Sequence, residues 1–458
     1  MKIILALAVV LQVFISNADG YNYKEVVQKS LLFYEAQRSG KLPSDQRVTW
    51  RKDSALHDKG ANGEDLTGGY YDGSPLLFPA GDFVKFGFQM SFTATILAWG
   101  LLDHQKGYEA AGSLSEGRKA LKWALDYFLK AHVSENVFYA QAGSGVLDHN
   151  YWGRPEDMTE ARPTYMINTT HPGSDLAAET AAALAASYLV FKDVNSTYAN
   201  ILLSHAKQLY SFAYKYRGKY SDAFDDIRCC YNSSGYEDEL VWGAAWLYRA
   251  TGDKTYLTYA ENEYSTIQYY IGFSWDQKAG GADVLLAKLT GDRKYLTKMK
   301  NYCDQMITSQ QRTPKGLIFI SPWGSLSSTA YVMQVCLETA ALGVNAVKYR
   351  AEAKKQIDYM LGDTGFSYVV GFGSKYPTHC HHRAASCPDA PAKCDWTQFS
   401  TAEPNPHVLT GALVGGPGAN DDYTDLRSDY VHNEVATYYN SGFQTVLAAL
   451  IELGYSSE

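Results

Sequence analysis

Twelve stretches of this 458-residue chain place apolar residues near i, i+3, i+4 and i+7, the spacing that lines one face of an α-helix. They fall at 22–37, 90–103, 115–132, 175–192, 196–216, 237–251, 253–270, 279–290, 293–310, 325–342, 345–361 and 436–453. Leu121, Ala124, Leu125, Phe128 and Leu129 show the pattern. The run LAAETAAALAA at 176–186 is so rich in alanine that a helix there can pack very close to a neighbour. Asp193 with Asn195, Gly252-Asp253, and Gly343 before Asn345 read as stop and start signals between members of a pair. The long intervals fall between pairs, at 38–90, 133–174, 217–236, 311–324 and 362–435. Loops of that length are usually functional or disordered, and the Gly, Trp, Tyr and Asp in these favour function. Strand signals are few, Tyr368–Phe372 (YVVGF) being the best. The expectation is an all-α toroid of paired helices in one domain, with no second, carbohydrate-binding module.

Lys2 followed by the apolar run Ile3–Ile15 and the small residues Ser16 and Ala18 read as a secretory signal peptide over 1–18. No later stretch is apolar for long enough to span a bilayer, so a secreted, membrane-free domain is expected over 19–458. Net charge is −8, and no Lys/Arg cluster offers a surface for nucleic acid. Secretion makes Asn168, Asn195 and Asn232 glycosylation candidates. Seven cysteines leave at least one without an intrachain partner. Cys387 and Cys394 flank a proline-rich loop and could bridge, whereas the adjacent Cys229 and Cys230 are not expected to pair with each other. The 36 tyrosines and 9 tryptophans suit a wet apolar surface on which sugar rings stack.

Three stretches concentrate chemistry. DDYTDLRSDYVHNEVATYYNS (421–441) sets Asp421, Asp422, Asp425 and Asp429 ahead of Glu434, with His432, Asn433, Tyr430, Tyr438 and Tyr439 around it. A carboxyl among aromatics tends toward a raised pKa, as a general acid requires; an acidic cluster favoured by a helix N-terminus would look similar. SYVVGFGSKYPTHCHHR (367–383) ends in His381-x-Arg383, where a His-rich tract could also bind metal. DLTGGYYDGSPLLFPAGDFVKFGF (65–88) holds Asp72 and Asp82 among glycines and aromatics, ten residues apart across the proline-bounded GSPLLFP (73–79).

The spacing Tyr-x-Asp-x4-Tyr-x3-Glu-x-Ala-x3-Asn-Ser from Tyr423 to Ser441 resembles the C-terminal signature of glycoside hydrolase family 9, inverting endo-β-1,4-glucanases on an (α/α)6 barrel. The 367–383 stretch resembles that family's histidine signature, except that Cys380 stands where proline or an aliphatic residue is usual. Asp65–Asp72 and Ala80–Phe86 match the two halves of its DLTGGYYDAGDxVKF motif, interrupted here by 73–79. The resemblance covers about 20–455, with pieces such as LLFYEAQRSGKLP and YEDELVW similar to animal-type members.

The resemblance implies Glu434 as general acid, Asp82 as general base and Asp72 as its helper. It places Asp425 as a charge-shaping catalytic-site residue and His381 as the active-site histidine. Arg383, His149, Trp323 and Tyr430 are the implied substrate contacts. In the family an arginine usually follows the tryptophan; here Ser327-Ser328 stands in its place. Ser234, Gly235, Asp238, Glu239 and Asp276 match a structural Ca²⁺ site of some members, and are hard oxygen donors of the right kind. The implied partner is a β-1,4-glucan, acted on by a monomer. The alternative is a non-catalytic or weakened β-glucan-binding homologue whose base is displaced by the 73–79 insertion.

Overall fold

The computed structural model describes residues 20–73, 83–267 and 272–457. The expected signal peptide, Asp82 and residues 74–79 of the insertion lie outside the described residues.

All twelve expected helices form: α1 Tyr23–Ala36, α2 Gly87–Asp103, α3 Leu114–Ala131, α4 Ser174–Phe191, α5 Ser196–Lys215, α6 Glu237–Thr251, α7 Lys254–Tyr264, α8 Ala279–Thr290, α9 Arg293–Thr308, α10 Ser325–Ala341, α11 Ala346–Asp358 and α12 Thr437–Glu452. They divide by burial. α2, α4, α6, α8, α10 and α12 are buried on nearly every side, as helices inside a large core are. α3, α5 and α9 carry one buried stripe and one solvated face. The six buried helices touch in the order α2, α4, α6, α8, α10, α12 and back to α2, which closes an inner ring. The other six lie outside it, giving an (α/α)6 barrel.

Close approach within the ring depends on small residues. A Cβ on Gly100 would meet Thr445 Oγ1 of α12 at 2.7 Å, and one on Gly243 would meet the Ala178 carbonyl of α4 at 2.8 Å. Trp99 packs against Trp242, Trp246 and Phe273 inside the ring, with ring centroids 5.5–6.0 Å apart. Truncating one such buried ring to alanine costs about 3–5 kcal/mol. Lys278, fully buried, reaches Glu239 of α6 at 2.9 Å and Glu179 of α4 at 3.6 Å.

Connections that leave the C-terminus of an inner helix are short. Gly252 and Gly291 end α6 and α8 in the left-handed region, and Asp253 and Asp292 then cap the next helix. Connections that enter the N-terminus of an inner helix are the long ones. Every long loop therefore gathers at one end of the barrel, where six helix N-termini point.

The structure departs from the sequence reading in five places. A small antiparallel sheet, β1 Lys85–Phe86, β2 His132–Ser134, β3 Val137–Ala142 and β4 Thr164–Ile167, lies in the loops with β3 central. Tyr368–Phe372 forms no strand; Val369 makes a single bridge with Leu413. α7 ends at Tyr264, and α11 runs into a π turn over Tyr359–Asp363 in which Gly362 leaves helical geometry. Cys387–Cys394 is a disulfide as expected, but so is Cys303–Cys336, which ties α9 to α10.

Candidate active site

Glu434 terminates the short helix Tyr430–Asn433, two residues ahead of the Ala436 cap of α12. Its backbone is held on both sides: Gly415 N donates to its carbonyl at 2.8 Å, and His381 N donates to the Asn433 carbonyl at 2.8 Å. The carboxyl is buried, and the Trp323 indole N–H donates to Oε2 at 2.6 Å. Trp323 thus touches the proposed acid itself, a contact that a cleft tryptophan need not make. Tyr430 lies between Trp323 and His381, with ring centroids 5.7 and 6.1 Å away.

Asp72 faces the same place. Thr437 N donates to its backbone carbonyl at 3.2 Å. Gly73, at φ +89°, lies so close to the next segment that a Cβ would meet the Val435 carbonyl at 2.7 Å; glycine alone suits that position. The Tyr231 hydroxyl donates to Asp72 Oδ2, while Oδ1 is buried without a hydrogen-bond partner. Burial raises the Asp72 carboxyl to about 7, and the Tyr231 hydrogen bond and the neighbouring Thr437 side chain oppose that rise. Burial first, then the charges of Asp72, Tyr438 and Glu434, hold the Tyr231 phenol well above its ordinary value. One phenol therefore senses both carboxylates.

The insertion is pinched at its base. Asp72 N donates to the Val84 carbonyl at 3.3 Å, and Phe83 N donates to Asp148 Oδ1 at 3.1 Å.

His381 is fully buried and lowered to about 4, by desolvation first. Its Nδ1 lies 2.6 Å from the Arg427 carbonyl. A carbonyl only accepts, so Nδ1 carries the proton and the neutral ring presents Nε2 as an acceptor. Arg383 pairs with Asp148 at 2.8 Å and lies over the Phe83 and Trp152 rings. His149, partly buried on the Asp148 helix, is lowered by burial.

Asp425 sits differently from Asp72 and Glu434. Its carboxylate accepts from Thr378 N (2.7 Å), Thr378 Oγ1 (2.9 Å) and His379 N (3.0 Å), and meets His379 Nδ1 at 3.1 Å. That makes it a positioning residue, fastening the 378–383 loop that carries His381.

Of the candidate Ca²⁺ donors, Ser234 N donates to Asp276 Oδ1 at 2.9 Å, Gln277 Nε2 to Ser234 Oγ at 3.0 Å, and Lys278 N to Asp238 Oδ2 at 2.5 Å. Gly235 contributes its carbonyl, which accepts from Ser233 Oγ. Among the described residues no group of three or more His, Cys, Asp or Glu side chains is gathered so as to hold a metal. The donor chemistry nevertheless fits a hard cation. Buried Glu239 Oε2 has no hydrogen-bond partner. Desolvation first, then the Asp238 charge, pushes the Glu239 carboxyl well above its ordinary value. Glu239 and Glu179 both pair with Lys278, and Asp238 accepts from its backbone N–H.

Sequence reasoning missed Tyr231 and Asp148. Neither has a local signal: Tyr231 is one tyrosine of 36, and Asp148 meets Arg383 across 235 residues.

A family model described as glycosyl hydrolase family 9 matches residues 23–447. Endoglucanase B of Cellulomonas fimi is 48% identical over 95% of this chain, which spans 42% of that protein's length. Endoglucanase 14 of Arabidopsis thaliana is 43% identical, covering 95% of this chain and 94% of its own. The solved endoglucanase of the termite Nasutitermes takasagoensis superposes with a TM-score of 0.92 at 60% identity, over 95% of this chain and 100% of that one. The cellulase Cel9M of C. cellulolyticum in complex with cellobiose superposes at 0.88 and 35% identity, over 95% and 99%.

Proposed function

Because the chain belongs to glycosyl hydrolase family 9, we propose that it is an inverting endoglucanase that cuts internal β-1,4-glucosidic bonds of cellulose-type glucans. The observation that carries the reading is the approach of two segments that bear buried carboxyls: Thr437 N, three residues beyond Glu434, donates to the Asp72 carbonyl at 3.2 Å at the loop end of the barrel. Solved relatives bind cellobiose, cellotriose and cellotetraose, which supports a β-1,4-glucan substrate.

Glu434 protonates the leaving glycosidic oxygen as the bond breaks, its carboxyl oriented by the Trp323 indole. Asp82 takes a proton from the water that attacks the opposite face, and Asp72 shares in holding that water. Inversion requires room for the water, which inverting glycosidases in general provide by an acid–base separation of about 6.5–9.5 Å. Neutral His381 accepts a sugar hydroxyl at Nε2. Arg383, His149 and Tyr430 line the same cleft. Bound Ca²⁺ would be held by Ser234, Gly235, Asp238, Glu239 and Asp276, and would neutralise carboxylates ahead of α6. The chain is secreted after cleavage behind Ala18 and acts as a monomer.

The alternative is a non-catalytic or weakened glucan-binding homologue whose base, Asp82, is displaced by the insertion; the Asp72 N–Val84 carbonyl hydrogen bond, which holds the helper Asp72 beside the far side of that insertion, supports the catalytic reading. The test is the viscosity and reducing-end release of carboxymethylcellulose. Wild-type protein should thin the polymer quickly, as internal cutting does, and Glu434→Gln should lose about 10²–10⁴-fold in turnover while still binding. Folded wild-type protein that binds glucan without cutting it would establish the alternative.

A further inference from the structure

Cys229 and Cys230 close the short helix Asp225–Arg228, immediately ahead of Tyr231. Both lie outside the two disulfides. Their Sγ atoms are 2.9 Å apart, and Cys229 is partly exposed while Cys230 is buried. Two parts of the active site rest on this pair. Tyr231, the phenol on Asp72, is the next residue in the chain. Gly145 lies against the other side: a Cβ there would meet Cys230 Sγ at 2.5 Å and Cys229 Sγ at 3.6 Å. Gly145 opens the helix that delivers Asp148 to Arg383 and to Phe83 N. Asp226 fastens the two segments together, accepting from Ser144 Oγ at 2.6 Å and Gly145 N at 3.1 Å.

We propose that Cys229–Cys230 is a redox-modification site, at which a low-molecular-weight disulfide such as oxidised glutathione joins the two neighbouring thiols, draws Tyr231 away from Asp72 and slows hydrolysis. The effect on turnover rests on the endoglucanase reading; formation of the bond does not. Cys229, the accessible member, releases its proton to solvent and its thiolate attacks one sulfur of the added disulfide. That S–S bond breaks, one small thiolate leaves, and a mixed disulfide forms. Cys230 then loses its proton and attacks Cys229 Sγ, expelling the second small thiol. Two protein thiols are oxidised and one small disulfide is reduced to two thiols.

The hydrogen bond from the Cys230 sulfur holds the Cys229 thiol below its ordinary value, which suits it to attack first. Adjacent Cα atoms lie about 3.8 Å apart across a trans peptide, short of the roughly 4.4–6.8 Å that disulfides favour. Closing the ring must therefore rebuild the turn in which Cys230 N and Tyr231 N donate to the Ile227 carbonyl at 3.2 and 3.0 Å. Strained disulfides are also the readily reduced ones, so the change reverses.

The experiment equilibrates the full chain across a series of reduced and oxidised glutathione. Peptide masses are read across 225–236, together with turnover of carboxymethylcellulose. The expected result is loss of two hydrogens from the Cys229–Cys230 peptide, a fall in kcat of about tenfold or more, and recovery of both on adding reductant. Cys229→Ser should lose the oxidant response. A 229–230 peptide that keeps its dithiol mass, or carries only bound glutathione, at the oxidising end of the series overturns the site. A closed disulfide with unchanged kcat overturns its coupling to Tyr231. Protein inactive on glucan at every ratio would refute the endoglucanase reading, while the mass readout would still decide whether the bond forms.

Discussion

Asp72 works against its surroundings: burial holds its carboxyl near 7, and the Tyr231 hydroxyl is one of the contacts that keep it from rising further. For an acid raised in this way the ionised form is lost as pH falls through about 7. If the ionised carboxylate helps to hold the attacking water, kcat/KM should fall on that same acidic side. Tyr231→Phe removes a contact that lowers the pKa, so the acidic limb of the kcat/KM profile should move to higher pH and kcat should drop. A limb that stays in place would mean that Asp72 does not govern it. Glu434, His381, Arg383 and Asp72 were legible as candidates because they stand at fixed motif spacing. Tyr231 and the Trp323–Glu434 contact were not, because hydrogen-bond partners far apart in sequence leave no local pattern.

At the scale of elements, helices were legible and strands were not. An inner helix such as α4 is apolar throughout and an outer one such as α3 carries a single stripe, and both write a 3.6-residue period over four or five turns. β1 to β4 are two to six residues long and depend on pairing across the long loops, so the YVVGF run outscored them on composition while forming only one bridge. The 73–79 insertion belongs to this scale too. Its base is closed by Asp72 N to the Val84 carbonyl. Excising 74–80 keeps Gly73 beside the Val435 carbonyl and joins it to Gly81, and a shorter connection costs less entropy to order. Turnover should rise without a lower thermal midpoint; a fall in kcat at unchanged stability would make the segment a working part of the cleft.

Across the whole molecule the two ends of the barrel divide the labour. The loops at the N-terminal ends of the inner helices hold Asp72 and Glu434. The C-terminal ends hold an ion network: Asp103 of α2 pairs with Arg249 of α6 and Lys288 of α8, and His104 bridges Glu338 of α10 and Glu452 of α12 at 3.1 and 3.2 Å. Desolvation opposes the charge on His104, but its hydrogen bonds to Glu338 and Glu452 prevail and raise it to about 9. A group raised on folding stabilises fully below its unfolded pKa of about 6.5 and loses that contribution as pH rises through the folded value. Stability to urea should therefore decline between pH 6.5 and 9 by at most about 3 kcal/mol, and His104→Gln should flatten that decline. The central claim, two carboxylates acting from opposite faces of one sugar, is tested most directly by NMR of the first product formed from cellopentaose. A new reducing end released as the α-anomer is predicted; release as the β-anomer would contradict it.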